Sequence, residues 1–494
     1  MAHDTHASTD EPDHETPWDI DGFHEECGVF GAFGSNDASV LTALGLHALQ
    51  HRGQEASGIV TFDGSAFHAH RALGHVGDNF GADSPQMKEL RGHIAIGHNR
   101  YSTSGNVNPL MEIQPFSSEL AFGGFALAHN GNLTNAGRLR SSLIETGSLF
   151  QSSSDTEVIV HLVARSHQEG VTDRLIDALK QIDGAYSLVC IADDMLIGVR
   201  DPHGVRPLIL GQRDDTWLLA SESCALDIVG ATAVRELEPG EMMIITKDGV
   251  QSLKPFQQVS PRFCVFEYIY FSRPDSVVEG RGVYHARKSI GAELAKESHT
   301  EADLIIPVPD SGVPAALGYA EESGVPFDLG IIRNHYVGRT FIQPSQKNRT
   351  DSVKLKHNAN PAAVAGKRII LVDDSIVRGT TSRKIVTMMR NAGATEVHMR
   401  IASPPTTHPC FYGVDTPSQE QLIAAQMSVD EIAKEIGADS LSFISVDGMY
   451  NAIAGIARDA EQPQFCDACF TGEYPIRLAS GLSAKRVSHG SARK

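Results

Sequence analysis

No apolar run in the 494 residues approaches the ~20 needed to span a bilayer, so no stretch reads as a transmembrane helix. Basic residues are scarce: 42 Lys and Arg stand against 61 Asp and Glu, a formal charge of −19. That deficit argues against general binding to nucleic acid or to an anionic membrane, both of which need a positive face. At the start the deficit is complete. Residues 1–26 hold nine acidic side chains and no Lys or Arg, whereas a secretory signal begins basic and has an apolar centre. This stretch reads as a disordered acidic tail, and the protein as cytoplasmic. Seven cysteines are too few in such a chain for a disulfide scaffold. No internal repeat is visible, and no basic helix-turn-helix.

What is present divides into two textures. From residue 27 to about 255, short apolar runs alternate with Gly-rich turns (92–97, 120–128, 185–191, 195–199, 207–210, 217–220, 242–245), with helical patterns at 40–50, 155–168 and 174–181. Sheets layered with helices are expected there. Beyond about 260 the pattern becomes strand–helix alternation: a strand at 304–308, a helix at 313–322, then strands at 328–332, 369–372 and 396–402. Such βαβ repetition implies a parallel sheet with its ligand site at the carboxyl ends of the strands. The fold class expected is mixed α/β and α+β. Its divisions are an acidic propeptide at 1–26, one domain at 27–258, a second at 259–480, and a disordered tail at 481–494.

Residues 369–381 carry the most chemistry. Four apolar residues lead to Asp373 and Asp374, then to Ser375, Arg378, Gly379, Thr380 and Thr381, with a helix predicted over 382–391 and Thr380 or Thr381 as its cap. A loop of exposed N–H groups at a helix start is an anion site, which the hydroxyls strengthen. Two carboxylates would repel a bare phosphate, but they suit ribose hydroxyls and a divalent metal. No Gly-Lys-Ser/Thr follows, so this is not a Walker loop. The arrangement resembles the phosphoribosyl pyrophosphate loop of type I phosphoribosyltransferases. That resemblance implies a 5′-phosphate in the Ser-to-Thr loop and the acidic pair over ribose and Mg2+.

Two further segments fit. Pro309-Asp310-Ser311-Gly312 ends a strand in a turn that offers N–H groups to a pyrophosphate, with Ser311 within reach of the metal. Between Arg333 and Lys356 six basic residues (Arg333, Arg339, Lys347, Arg349, Lys354, Lys356) face one acid, Asp351, as expected of an anion-binding lid. Arg339 and Lys347 are its candidate substrate contacts.

The first half supplies a nucleophile candidate in Cys27, within Glu25-Glu26-Cys27-Gly28. Polar, turn-like segments recur through the same region at 51–58, 98–103, 129–135 and 154–157. They resemble, segment by segment, the glutaminase domain of the N-terminal-nucleophile class. The resemblance implies a Cys27 thiolate attacking the glutamine carboxamide, with its own α-amino group as base. The chemistry agrees with the other carry-overs: Arg100 for the α-carboxylate, Asp155 for the α-ammonium, and Asn130 with the Gly131 N–H as oxyanion donors. An α-amine titrates near ~7.7–8.0, close to working pH. Here it is tied up in the Glu26–Cys27 peptide, so removal of residues 1–26 is the expected activating step.

Joined in this order, from about residue 25 to 474 and including Phe266-Glu267-Tyr268 at the junction, the halves resemble the amidophosphoribosyltransferases. The resemblance implies glutamine and phosphoribosyl pyrophosphate as substrates, a shielded path for ammonia, purine nucleotides as feedback inhibitors and a homotetramer. One branch of that family carries a propeptide and a [4Fe–4S] cluster on four cysteines, a pattern that Cys264, Cys410, Cys466 and Cys469 match. Spacing alone also allows structural Zn2+ on the same four thiolates. Two other functions compete: a phosphoribosyl-pyrophosphate-sensing regulator with a vestigial glutaminase domain, and an amide hydrolase regulated by its second domain.

Overall fold

The computed structural model describes residues 27–81, 84–101, 109–334 and 357–478. Its first half is two stacked antiparallel sheets between helical layers. One sheet orders its strands Thr232–Glu236, Ile209–Arg213, Thr216–Ala220, Gly28–Phe33, Ile94–Arg100, Ala56–Phe62 and Phe67–Leu73. The other runs Gly249–Leu253, Met242–Thr246, Met195–Arg200, Gly184–Ala192, Gly123–Leu133 and Phe116–Leu120. Period-two alternation decides what fills each layer. Val29, Phe33, Ile94 and Ile96 meet Ala126, Ala128, Val189 and Ile191 between the sheets. Phe30 and Ala32 face the helix Ala38–Ala48. Leu127, Leu188 and Cys190 face the helices Thr156–Arg165 and Val171–Leu179. The result is an αββα sandwich, the class expected. Residues 120–128 resolve into two strands, because the Ala121-Phe122 turn interrupts the apolar run.

The second half holds four parallel strands in the order Leu304–Pro307, Arg368–Asp373, Glu396–Ile401 and Ser440–Phe443. Both faces are buried, which is why these strands read as unbroken apolar runs. Ile305, Ile370 and Val372 face the helices Val283–Glu297 and Val313–Ser323. Leu304, Ile306, Ile369 and Leu371 face Thr380–Asn391 and Val429–Ile436. Ser428 and Glu431 close the start of that last helix as a capping box, and Gly437 ends it at φ 78°.

Two expectations need correction. The strand expected at 328–332 is instead Ile331–Arg333, paired antiparallel with His357–Ala359 outside the parallel sheet; the chain meets that sheet just before it, in a single bridge between Phe327 and Ile305 flanked by the Asp328 N–H donating to the Ile305 carbonyl at 3.0 Å. The helix after the acidic pair begins at Thr380, and its cap is Gly379 rather than a threonine. Gly379 has φ 81°, a left-handed value that a β-branched residue resists, so the threonines move into the first turn.

Candidate active sites

The acidic loop lies where the sheet's central strands end. Asp373 closes its strand and Asp374 follows, both largely buried. Ser311 Oγ donates to Asp374 Oδ1 at 2.5 Å, and Ser375 Oγ donates to Oδ2 at 2.7 Å. The Asp374 N–H donates to Asp373 Oδ1 at 3.0 Å. The two turns singled out from sequence, 63 positions apart, thus meet on one carboxylate. Gly312 makes this possible: a Cβ there would collide with the Val372 and Val308 carbonyls. Asp310 is exposed and pairs with Arg333, while Arg378 reaches Gln421 at 3.4 Å. Thr380 and Thr381 form the helix start. Two carboxylates and a hydroxyl at a loop fit Mg2+, which prefers one or two carboxylates plus substrate oxygens to an all-protein cage. Arg339 and Lys347 lie outside the described residues, as do Arg349, Lys354 and Lys356.

The glutamine candidates gather around the strands of the first half. Cys27 is half-buried immediately before the strand Gly28–Phe33, and its carbonyl accepts from Arg52 Nε at 3.4 Å. Asn130 is fully buried in the strand Gly123–Leu133, with neither side-chain polar atom hydrogen-bonded. Burying an amide without partners is costly, so Asn130 is a donor held ready for something else. Gly131 follows at φ 143°, where a Cβ would strike the Ala185 carbonyl, so the position is closed to side chains. Asp155 Oδ2 accepts the Leu133 N–H at 2.9 Å, and its Oδ1 lies 3.7 Å from His129 Nδ1. Burial alone would raise the Asp155 carboxyl, but His129 and these hydrogen bonds hold it below the usual range. It stays an anion. Arg100 ends its strand half-exposed, and Nη1 donates to the Pro109 carbonyl at 3.3 Å.

Cys264, Cys410, Cys466 and Cys469 line one cavity with Phe266, Tyr412, Val414 and Tyr474. None of the seven cysteines forms a disulfide. Among the described residues no three His, Cys, Asp or Glu side chains stand grouped to hold a metal ion. Burial, then the neighbouring cysteines, pushes the Cys466 and Cys469 thiols well up. Four cysteines lining one apolar cavity are nevertheless a donor set whose chemistry suits soft metals.

Sequence reasoning missed the charged network between the halves. Arg52 joins Glu222 of the first half to Glu267 of the junction, and Arg206 adds a contact to Glu267 at 3.4 Å. All four are buried. Arg52 stood inside a quoted motif, but nothing local to it signals partners 170 and 215 positions away.

A glutamine amidotransferase domain family matches residues 98–227, and a phosphoribosyl transferase domain family matches residues 283–403. The class is therefore a glutamine amidotransferase coupled to a phosphoribosyltransferase. The amidophosphoribosyltransferase of Rhizobium etli is 55% identical over 470 residues, covering 94% of each chain. That of Bacillus subtilis is 50% identical over 465 residues, covering 93% of this chain and 96% of its own. The solved glutamine phosphoribosylpyrophosphate amidotransferase of B. subtilis, complexed with ADP and GMP, superposes with a TM-score of 0.86 at 49% identity. It covers 92% of this chain and 98% of its own. The chain belongs to the amidophosphoribosyltransferase family.

Proposed function

We propose that the protein converts glutamine, phosphoribosyl pyrophosphate and water to 5-phosphoribosylamine, glutamate and pyrophosphate, the first committed step of purine synthesis. Family membership across 94% of the chain carries this reading, and the two sets of side chains support it. Cys27 attacks the glutamine carboxamide carbon while the Asn130 amide and Gly131 N–H stabilise the oxyanion. Its α-amino group, freed when residues 1–26 are removed, moves the proton to the departing ammonia. Water then cleaves the glutamyl thioester. Arg100 and Asp155 hold the amino acid's two charged ends. In the second site Asp310, Ser311 and Gly312 face pyrophosphate, and Ser375, Arg378, Gly379, Thr380 and Thr381 face the 5′-phosphate, with Arg339 and Lys347 above. Ammonia displaces pyrophosphate from the ribose carbon. Asp373, Asp374 and Ser311 would hold Mg2+, which would supply positive charge to the pyrophosphate leaving group.

The four cysteines hold a [4Fe–4S] cluster in this reading, with structural Zn2+ as the alternative. Phosphoribosyl transfer moves no electrons, so the role is structural. Purine nucleotides act as feedback inhibitors, which agrees with ADP and GMP in the B. subtilis complex. No helix among the described residues is long and apolar enough to cross a membrane. In this reading the enzyme is cytoplasmic, and the family resemblance implies a homotetramer.

Product analysis with glutamine or ammonia as nitrogen donor tests the reading. Phosphoribosylamine from both supports it. Glutamate alone would leave an amide hydrolase, and neither product a phosphoribosyl-pyrophosphate sensor. Intact mass tests the activation step, since an active form retaining residues 1–26 would overturn it.

A further inference from the structure

The strand bearing Asn130 and Gly131 is not held by its own half alone. Its next residue, Asn132, donates from Nδ2 to the Phe411 carbonyl at 2.9 Å, across 279 positions of chain. The Tyr412 carbonyl accepts from Arg206 Nε at 3.1 Å and Nη2 at 2.8 Å. Gly413 packs on Gly131 itself: an added Cβ would stand 3.1 Å from that residue's Cα and carbonyl carbon. Gly413 also has φ 115°, a value at which a side chain is strained. Three successive residues of the second half are thus fastened to the first, two of them on the oxyanion strand.

The other side of this turn belongs to the cysteine cavity. The Tyr412 N–H points at Cys410 Sγ, 3.3 Å away, and the Cys410 N–H donates to Thr416 Oγ1 at 2.7 Å. Cys410, Tyr412, Val414 and Thr416 all line the cavity. One short turn therefore carries a candidate metal ligand on its inner side and touches Gly131 and Asn132 with its outer side. Such contact matters because oxyanion donors act through their aim: losing one costs about 10²–10³ in rate, and misplacing a site by 1 Å about 10².

We propose that residues 411–413 are a positioning element of the glutamine site, fixing the Asn130–Gly131 strand from the second half, so that what Cys410 binds is felt at the oxyanion donors. This rests on the reading of Asn130 and Gly131 given above. Neither Asn132 nor Gly413 belongs to the binding or reacting set, so each can be altered without removing a catalytic group.

The test uses the full chain with its native metal content, as Gly413→Ala and, more mildly, Asn132→Ala. Glutaminase kcat falls about 10–100-fold with KM for glutamine changed less than about 3-fold, since oxyanion donors act in the transition state. Ammonia-dependent phosphoribosylamine formation stays at the parent level, which also shows the variants folded. In Cys410→Ser, metal content drops and amide hydrogen exchange rises in residues 130–132 but not in the strand Arg368–Asp373. If the parent forms no phosphoribosylamine from either donor, the functional reading fails. With an active parent, parallel loss of both activities, a KM-only effect, or unchanged activities or exchange would overturn the inference alone.

Discussion

Arg52 grips Glu267 with two parallel hydrogen bonds, Nη2 to Oε1 at 2.7 Å and Nη1 to Oε2 at 3.0 Å, with both side chains almost wholly buried. Nη1 also reaches Glu222 Oε1 at 2.6 Å, and His51 Nε2 lies 2.7 Å from the same oxygen. Burial alone would raise both carboxyls, but His51 and then Arg52 hold Glu222 low, and Arg52 and then Arg206 hold Glu267 low. Arg52→Leu removes from Glu267 its main partner and from Glu222 the arginine paired with it, and should destabilise the protein by roughly 3–5 kcal/mol. Arg52→Lys keeps the charge without the fork and should fall between. Unfolding temperatures of the three proteins check this; a Leu variant as stable as the parent would contradict it.

Asp374 is the carboxylate on which both phosphate-facing turns converge. Asp374→Asn keeps the volume and removes the charge. Phosphoribosylamine formation from ammonia should fall at least about 10²-fold, a loss of the size that follows from removing transition-state charge stabilisation. Glutamate release without phosphoribosyl pyrophosphate should hold near the parent value. Equal loss of both activities would show that the substitution acts on the fold instead.

Glu236 gives a pH dependence of known sign. Burial first, and the Glu279 carboxylate second, raise its pKa from 4.5 to about 7, against the pull of Arg200. Arg200 Nη2 meets Glu279 Oε1 at 2.6 Å, and Tyr268 and Arg281 stand nearby. The folded protein binds this proton more tightly than the unfolded chain. The stabilisation is therefore full below about 4.5 and is lost as pH rises through about 7. Buried carboxylates with lowered pKa, such as Glu157 at about 2, are ionised in both states across that upper range and add no slope. The unfolding temperature should decline from pH 5 to 8 more steeply in the parent than in Glu236→Gln; identical profiles would refute the assignment.

For the cysteine cavity, a purified sample should absorb near roughly 400 nm, carry iron and inorganic sulfide, and bleach on oxidation. Cys469→Ser should lose the band. A colourless protein with one zinc per chain would decide for the alternative.

Much of this was legible because local rules and tertiary needs agreed. The apolar runs of the parallel sheet need burial on both faces, and the Ser311 and Asp373–Thr381 turns sit where such strands end. Asn130 and Gly131 were singled out through the resemblance of the 129–135 segment, and the structure adds that Gly131 sits at φ 143°, a value that suits glycine. What stayed hidden depends on distance along the chain. Arg52 with Glu267, Asn132 with Phe411, and Gly413 on Gly131 are pairings that no periodicity or turn preference encodes. The helix cap failed for a different reason: threonine is the better capping side chain, but the loop needed a left-handed backbone there, and only Gly379 supplies it cheaply.

The strand Phe263–Cys264 pairs in parallel with Phe465–Cys466, about 200 residues later. Its partner does not exist while the intervening chain is still being made. At roughly 5–20 residues per second, that is a wait of about 10–40 s on the ribosome. Through it, Phe263, Val265 and Phe266 must stay out of water by other means, although all are buried in the finished protein. Newborn chains are thus most vulnerable in the middle of synthesis, and chaperone demand should track translation speed across the second half.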